Sequence, residues 1–118
     1  MPQITVDYSA PLGDAFDRQG FAVALHAMVV ETAAAKTEAC KSRFRVVDDI
    51  VVGADTVGHA LVHVGVALLP GRSAEVKSAL TSRALELVRA HVKPADGAVL
   101  HASAEVTDLD PSYQKSVN

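Results

Sequence analysis

The fold follows from the stretch HALVHVGVALLPGRSAEVKSALTSRALELVRAHVK, residues 59–93. Its first part, residues 59–69, is almost continuously apolar, which is typical of a buried strand, and the Pro-Gly pair that follows ends this strand. Ser73 is a favourable N-cap, and Glu75 lies in the first turn, where the helix dipole favours an anion. Apolar residues then recur at helical spacing until the segment ends before Pro94. The stretch therefore predicts a strand, a tight turn and an amphipathic helix.

The same succession of strand and helix is predicted in the first half of the chain. Residues 3–8 alternate between apolar and polar side chains, as a half-buried strand does. Helical spacing of apolar residues predicts a helix over about 17–35. Further strands are expected over 43–52, which an acidic pair can interrupt, and over 98–106. The order β-α-β-β-α-β predicts a single α+β domain spanning residues 1–118, with a four-stranded sheet and two helices on one face.

The composition favours a domain that assembles with copies of itself. The 118 residues are 49% hydrophobic but only 4% aromatic, so the core should be aliphatic. This much apolar content in a short chain suggests that some of it is buried between subunits. The formal net charge is −3, with 11 basic and 14 acidic residues, which predicts no attraction to nucleic acid or to an anionic membrane.

The single cysteine and the first residues bear on the cellular compartment. Cys40 has no second cysteine with which to form an intrachain disulfide, and no activating partner is evident, so an inert thiol is expected. The start MPQITVD lacks the basic and apolar segments of an export signal. The apolar stretches 21–30 and 60–69 are too short to span a bilayer. We therefore expect a reduced, cytoplasmic protein without a membrane partner.

Pro2 is a candidate catalytic residue. Initiator methionine is normally removed before a small residue, so the mature chain is expected to begin at Pro2, directly on a strand. An α-amino group titrates at about pH 7.7–8.0, and burial or nearby cations lower its pKa. A base with a pKa near the working pH suits general acid–base catalysis. Met-Pro is also a common start without function, so this feature alone leaves both interpretations open.

Two groups of cations are candidate carboxylate contacts. On a strand, Lys41, Arg43 and Arg45 share one face, which can be a solvated face paired with acids or a receptor for carboxylates. Arg72 precedes the N-cap Ser73, so its charge and the free N–H groups of the helix could bind one anion. The same residues also describe an ordinary strand-to-helix turn.

Metal and cofactor chemistry finds no support in the sequence. His59 and His63 lie four residues apart, which suits metal ligands on a helix, but this segment is predicted to be a strand. Structural or hydrogen-bonding roles are expected for His63 and, similarly, for His26, His91 and His101. The sequence contains no Ser-His-Asp signature, glycine-rich phosphate loop or dinucleotide fingerprint.

Taken together, these residues resemble the tautomerase superfamily, and specifically the 5-carboxymethyl-2-hydroxymuconate Δ-isomerase family. The resemblance covers almost the whole chain. The motifs that carry it are MPxIxV at 1–6, KSR at 41–43, LVHV at 61–64, GRS at 71–73 and AEVTDLDP at 104–111.

The resemblance implies a homo-oligomer, a trimer, with active sites near subunit boundaries and no cofactor. It implies an isomerase of aromatic-compound (homoprotocatechuate) catabolism, which transposes C=C bonds in a polycarboxylate such as 5-carboxymethyl-2-hydroxymuconate. Pro2 would be the acid–base residue, and Arg72 would bind a carboxylate or polarise the dienol. The second cationic position, usually Arg in the family, is Lys41 here, with Arg43 close by. Lys lacks the bidentate fork of Arg, so this departure leaves the exact substrate open.

Other functions remain open at this point. The same site could serve a tautomerase of another 2-oxo or 2-hydroxy acid. A hydratase-type dehalogenase would need a further water-activating residue, for which the sequence offers no candidate. The chain could also be a non-catalytic α+β binding module in which Pro2 has no chemical role.

Overall fold

The computed structural model describes residues 2–118. Its helices and strands follow the predicted order, and the predicted fold class is confirmed. Two short 3-10 helices, Ala10–Ala15 and Thr37–Ala39, flank the first α-helix. The main elements are β1 (Gln3–Ser9), α1 (Arg18–Ala33), β2 (Lys41–Val47), β3 (His59–Leu68), α2 (Ala74–His91) and β4 (Val99–Asp108).

Two strands, β2 and β4, differ from their predicted bounds by more than one residue. The strand predicted over 43–52 begins at Lys41 and ends at Val47, because the acidic pair that follows is a poor strand former. Val52 pairs only with Asp55, in a small turn beyond the strand. The last strand runs on to Asp108, since the N–H of Leu109 still donates to the Leu68 carbonyl at 2.6 Å.

The sheet consists of two parallel βαβ units joined side by side. β1 pairs in parallel with β2, and β3 pairs in parallel with β4. The two inner strands, β1 and β3, are antiparallel, which gives the order β2-β1-β3-β4. An antiparallel junction relates the two units by an approximate twofold rotation. The start of β1 therefore corresponds to the start of β3 at the opposite end of the sheet.

Strand alternation determines which sheet face carries the core. Along β3 every second residue is buried. The same alternation was predicted for β1, and its apolar residues Ile4 and Val6 are fully buried. Phe21 and Leu25 of α1 and Leu80 of α2 are buried in the same cluster, so both helices cover one face. We call the other side the open face; its residues include Gln3, Thr5, Asp7, Arg43, Arg45, Leu61, His63, Ala67, His101, Ser103 and Glu105.

Both helices begin at side-chain caps. The Asp17 carboxylate accepts from the Gly20 N–H at 3.1 Å, and the Ser73 hydroxyl accepts from the Val76 N–H at 3.2 Å. The Ser73 cap confirms the predicted start of the second helix. Among the residues that the structure describes, neither helix has the length and apolar character needed to cross a bilayer.

Candidate active site

A groove of about 670 Å³ lies where the first strand begins. Four separate parts of the chain line it: the segment after α1, the start of β2, the turn after β3, and the C-terminal tail. Its charged residues are Lys36, Glu38, Lys41, Arg72 and Lys115. Four cations against one carboxylate give this groove a net positive charge, although the protein as a whole is acidic.

Pro2 lies directly beside one lining residue of this groove. Its ring is fully buried, and its carbonyl accepts a hydrogen bond from the backbone N–H of Lys41 at 3.2 Å. Gln3, the next residue, is in register with Lys41 on β2. Pro2 itself does not line the groove surface. The predicted removal of Met1, which would free the Pro2 nitrogen, concerns a residue outside those described.

The three cations of β2 have different surroundings. Lys41 lines the groove, and its ammonium donates to the Ala39 carbonyl at 3.2 Å. Arg43 donates to the side-chain oxygen of Gln3 on the open face. Arg45 forms a two-point ion pair with Asp7, with N···O distances of 2.7 and 3.2 Å. The sequence left open whether these cations pair with acidic residues or bind carboxylates. Arg45 pairs with an acidic residue, whereas Lys41 lines the groove.

Arg72 lines the groove from the turn between β3 and α2, but much of its guanidinium is already hydrogen-bonded. Nε and Nη2 donate to the Ala33 carbonyl at 3.2 and 2.9 Å, and Nη1 donates to the Leu69 carbonyl at 3.2 Å. These bonds hold the guanidinium at the C-terminal end of α1. A guanidinium has five N–H groups, so two remain for a ligand.

Lys36 and Lys115 were not singled out by sequence reasoning. Both are exposed lysines in stretches without regular alternation or a motif, where a lysine is an ordinary surface residue. Their shared position with Lys41 and Arg72 depends on the tertiary fold. No local pattern could have identified them.

A second concavity, of about 580 Å³, occupies the corresponding position at the opposite end of the sheet. It lies where β3 begins, and its lining includes His59 and three carboxylates, those of Asp48, Asp49 and Asp96. Three carboxylates repel an anionic ligand. Of the two corresponding concavities, only the groove beside Pro2 suits a carboxylate.

The histidines bind to neighbouring side chains. His59 Nδ1 lies 2.8 Å from His101 Nε2, and His59 Nε2 lies 2.9 Å from the Asp55 carboxylate. His63 Nδ1 lies 2.6 Å from the Ser103 hydroxyl. Within residues 2–118 no group of three metal-ligating side chains occurs. The contacts of His63 and His101 are the hydrogen-bonding roles that the sequence predicted for them.

Cys40 is buried at the start of β2. Its thiol lies 3.5 Å from the Lys36 carbonyl, to which it donates, and burial raises its pKa. A raised pKa leaves less thiolate at neutral pH. This environment is consistent with the expected inert thiol.

The fold matches solved structures along nearly its whole length. A fused 4-OT symmetric trimer, Q0, matches with a TM-score of 0.77 and 21% identity, over 98% of this chain and 92% of that one. A 5-carboxymethyl-2-hydroxymuconate isomerase from Deinococcus radiodurans R1 matches with a TM-score of 0.78 and 18% identity, over 99% and 90%. A 5-carboxymethyl-2-hydroxymuconate delta-isomerase matches with a TM-score of 0.70 and 12% identity, over 100% and 89%. At these identities the likeness shows the fold, which is that of the tautomerases.

The family follows from the sequence match. The model of the 5-carboxymethyl-2-hydroxymuconate isomerase family matches residues 2–118, and the chain belongs to this family. The enzyme class expected from the resemblance, an isomerase of the tautomerase type, is thereby confirmed. In the comparison with curated proteins, no relative matched.

Proposed function

We propose that this protein moves a proton within a 2-hydroxymuconate-type dienol acid, with the nitrogen of Pro2 as the acid–base catalyst. The observation that carries the proposal is the cationic groove that Lys41 and Arg72 both line, together with the hydrogen bond from the Lys41 N–H to the Pro2 carbonyl. Membership of the isomerase family supports the reaction class. The proposed substrate is 5-carboxymethyl-2-hydroxymuconate, an intermediate in the catabolism of aromatic compounds.

The proposed reaction needs one base that takes up and returns a proton. The neutral prolyl nitrogen, a free amine once Met1 is removed, accepts the proton of the 2-hydroxyl group. The electron pair of that O–H bond forms the carbonyl, and the double bonds shift along the chain of the acid. The protonated nitrogen then delivers its proton to the distant carbon, so that no atom or electron is gained or lost.

The cations of the groove would serve both binding and catalysis. A dienolate carries added negative charge on its oxygen, and preorganised cations stabilise such developing charge. Arg72 retains two N–H groups for a carboxylate or for this oxygen. Cations close to the prolyl nitrogen would also disfavour its protonated form.

Lys41 is the proposed second carboxylate contact, in preference to Arg43. Lys41 lines the groove, whereas Arg43 already donates to Gln3 on the open face. An ammonium binds as a point charge and lacks the planar fork of a guanidinium. The same site could therefore turn over another 2-oxo or 2-hydroxy acid, which is the alternative enzymatic function.

The protein is also proposed to act as a homo-oligomer, a trimer, in the reduced cytoplasm. The open face carries Leu61 and Ala67 without a helix layer of its own chain to cover them. Two of the structurally similar proteins are described as symmetric trimers. The lone free Cys40 suits a reducing compartment.

The experiment that tests the proposal compares two forms of the N-terminus. The intact mass of the purified protein first establishes that Met1 is absent. Ketonisation of 5-carboxymethyl-2-hydroxymuconate and of 2-hydroxymuconate is then followed by ultraviolet absorbance. Processed protein should be active, and protein with an N-terminal extension should be inactive, because its Pro2 nitrogen is an amide.

Two controls complete this test. A tag of the same length at the C-terminus should have a mild effect on turnover. Pro2→Ala keeps a primary amine and should lower kcat about 10²-fold or more, without abolishing it. Equal activity of the extended and processed proteins would exclude Pro2 as the base, and a non-catalytic module would show no turnover in either form.

A further inference from the structure

The groove carries more positive charge than the proposed proton transfer requires. Lys41 and Arg72 supply the two cations assigned to that reaction, but Lys36 and Lys115 line the same groove. Glu38 is the one carboxylate in its lining, so the net charge of the lining is three positive units. This charge matches a ligand with three carboxylates better than one with two.

The C-terminal tail is held in a defined position beside this groove. The Tyr113 hydroxyl accepts a hydrogen bond from the side-chain nitrogen of Gln3 at 2.9 Å. The Tyr113 N–H donates to the Asp110 carbonyl at 2.9 Å, which closes a turn at the start of the tail. Because Gln3 follows Pro2 directly, the tail is attached to the strand that begins immediately after the proposed base.

These contacts bring Lys115 to the groove two residues after the anchoring tyrosine. Within the described part of the chain, Lys115 takes part in no ion pair. Among the same residues Lys36 takes part in no ion pair either, but it lies two residues before Glu38, the carboxylate of the groove. Of these two further lysines, Lys115 is the one whose own lining segment contributes no carboxylate side chain to the groove.

We infer that Lys115 is a specificity-determining residue, which binds the third carboxylate of a tricarboxylate substrate; this inference rests on the proposed function of the groove. A charged hydrogen bond between an ammonium and a carboxylate is stronger than one between neutral groups. A dicarboxylate bound to Lys41 and Arg72 has no group for Lys115. Loss of Lys115 should then affect tricarboxylates selectively.

The experiment measures binding with unreactive probes. Tricarballylate, a tricarboxylate, and glutarate, a dicarboxylate, are titrated into the processed protein by calorimetry. The variants are Lys115→Met, Lys115→Arg and the matched control Lys93→Met. Lys93 is an exposed lysine outside the groove, so its loss changes the net charge equally. Far-UV circular dichroism verifies that each variant is folded.

Lys115→Met should weaken tricarballylate binding about five- to tenfold and glutarate binding less than about twofold. Lys115→Arg should stay within about twofold of the wild type, and Lys93→Met should alter neither probe. Equal weakening of both probes, no weakening, or equal affinity of the wild type for both would overturn the assignment of Lys115.

A kinetic measurement separates this inference from the proposed function. In Lys115→Met, KM should rise for 5-carboxymethyl-2-hydroxymuconate and stay nearly constant for 2-hydroxymuconate, with kcat little changed for both. An unchanged KM for the larger substrate refutes the role of Lys115 while the isomerase function stands. Absence of turnover in the processed wild type refutes the proposed reaction, while selective tricarballylate binding would still support the carboxylate contact.

Discussion

His26 shows how packing changes the chemistry of a single residue. It lies on α1, and its Nε2 is 2.7 Å from the Ser42 hydroxyl of β2. Burial disfavours the charged imidazolium, so the pKa of His26 is lowered from its ordinary value. The sequence predicted a structural or hydrogen-bonding role, and the Ser42 contact agrees with it. The lowered pKa could not be predicted from the sequence, because it depends on how deeply the folded chain buries His26.

This pKa shift predicts how stability depends on pH. The unfolded chain binds a proton at His26 at higher pH than the folded chain does, since the folded pKa is lower. The contribution of neutral His26 is therefore complete above a pH of about 6.5 and is lost as the pH falls below this value. Urea unfolding of the wild type and of His26→Gln, at pH 7.5 and at pH 5.5, measures the effect. The variant should lose less stability between the two pH values, and equal losses would contradict the prediction.

Arg72 joins two elements that are distant in the sequence. α1 ends at Ala33, and the next residue, Ala34, has a left-handed backbone with φ of 55°, which usually favours glycine. The Arg72 guanidinium satisfies the carbonyl of Ala33 from the turn after β3. The sequence suggested an anion contact at the start of α2. Tertiary packing directs much of the side chain to the end of α1 instead.

Arg72→Met should lower both stability and turnover. Loss of the bonds to the Ala33 and Leu69 carbonyls should reduce the free energy of unfolding by about 1–3 kcal/mol. Because the same side chain lines the groove, kcat/KM for carboxylated substrates should also fall. Arg89→Met, a change at an exposed position of α2, is the matched control and should have little effect. Urea denaturation and ketonisation rates measure the two effects, and an unchanged rate would remove Arg72 from the proposed site.

The whole molecule consists of two corresponding halves with different surface charge. Each half has one strand–helix–strand unit, and each has a concavity where its first strand begins. The concavity beside Pro2 is cationic, and its counterpart is lined by three aspartates. The backbone thus offers two similar positions, and side-chain charge selects one for an anionic ligand.

The open face predicts where copies of this chain associate. Leu61 lies on this face, and an arginine there would bury an unpaired charge in the proposed interface. Leu61→Arg should shift the protein from oligomer to monomer, measured by size-exclusion chromatography with light scattering. Val23→Arg, at an exposed position of α1, should leave the assembly intact. A monomeric wild type, or a Leu61→Arg protein with the wild-type mass, would contradict an interface on this face.

Local sequence patterns determined the order of elements, the fold class and the sheet face that carries the core. Apolar alternation in residues 3–8 and helical spacing after Ser73 act over a few residues, so they can be recognised without the rest of the chain. The end of β2 was less well predicted, because Val51 and Val52 continue an apolar pattern after the chain has left the sheet.

Only the tertiary structure decided which cations share a site. Lys36, Lys41, Arg72 and Lys115 come from four parts of the chain, and sequence reasoning identified just the two that lie in family motifs. Hydrogen bonds from Arg72 to Ala33 and from Gln3 to Tyr113 bring these parts together. Such contacts join residues that are far apart in the sequence. Electrostatic fields depend on distance in space, so the charge of the groove exists only once the chain has folded.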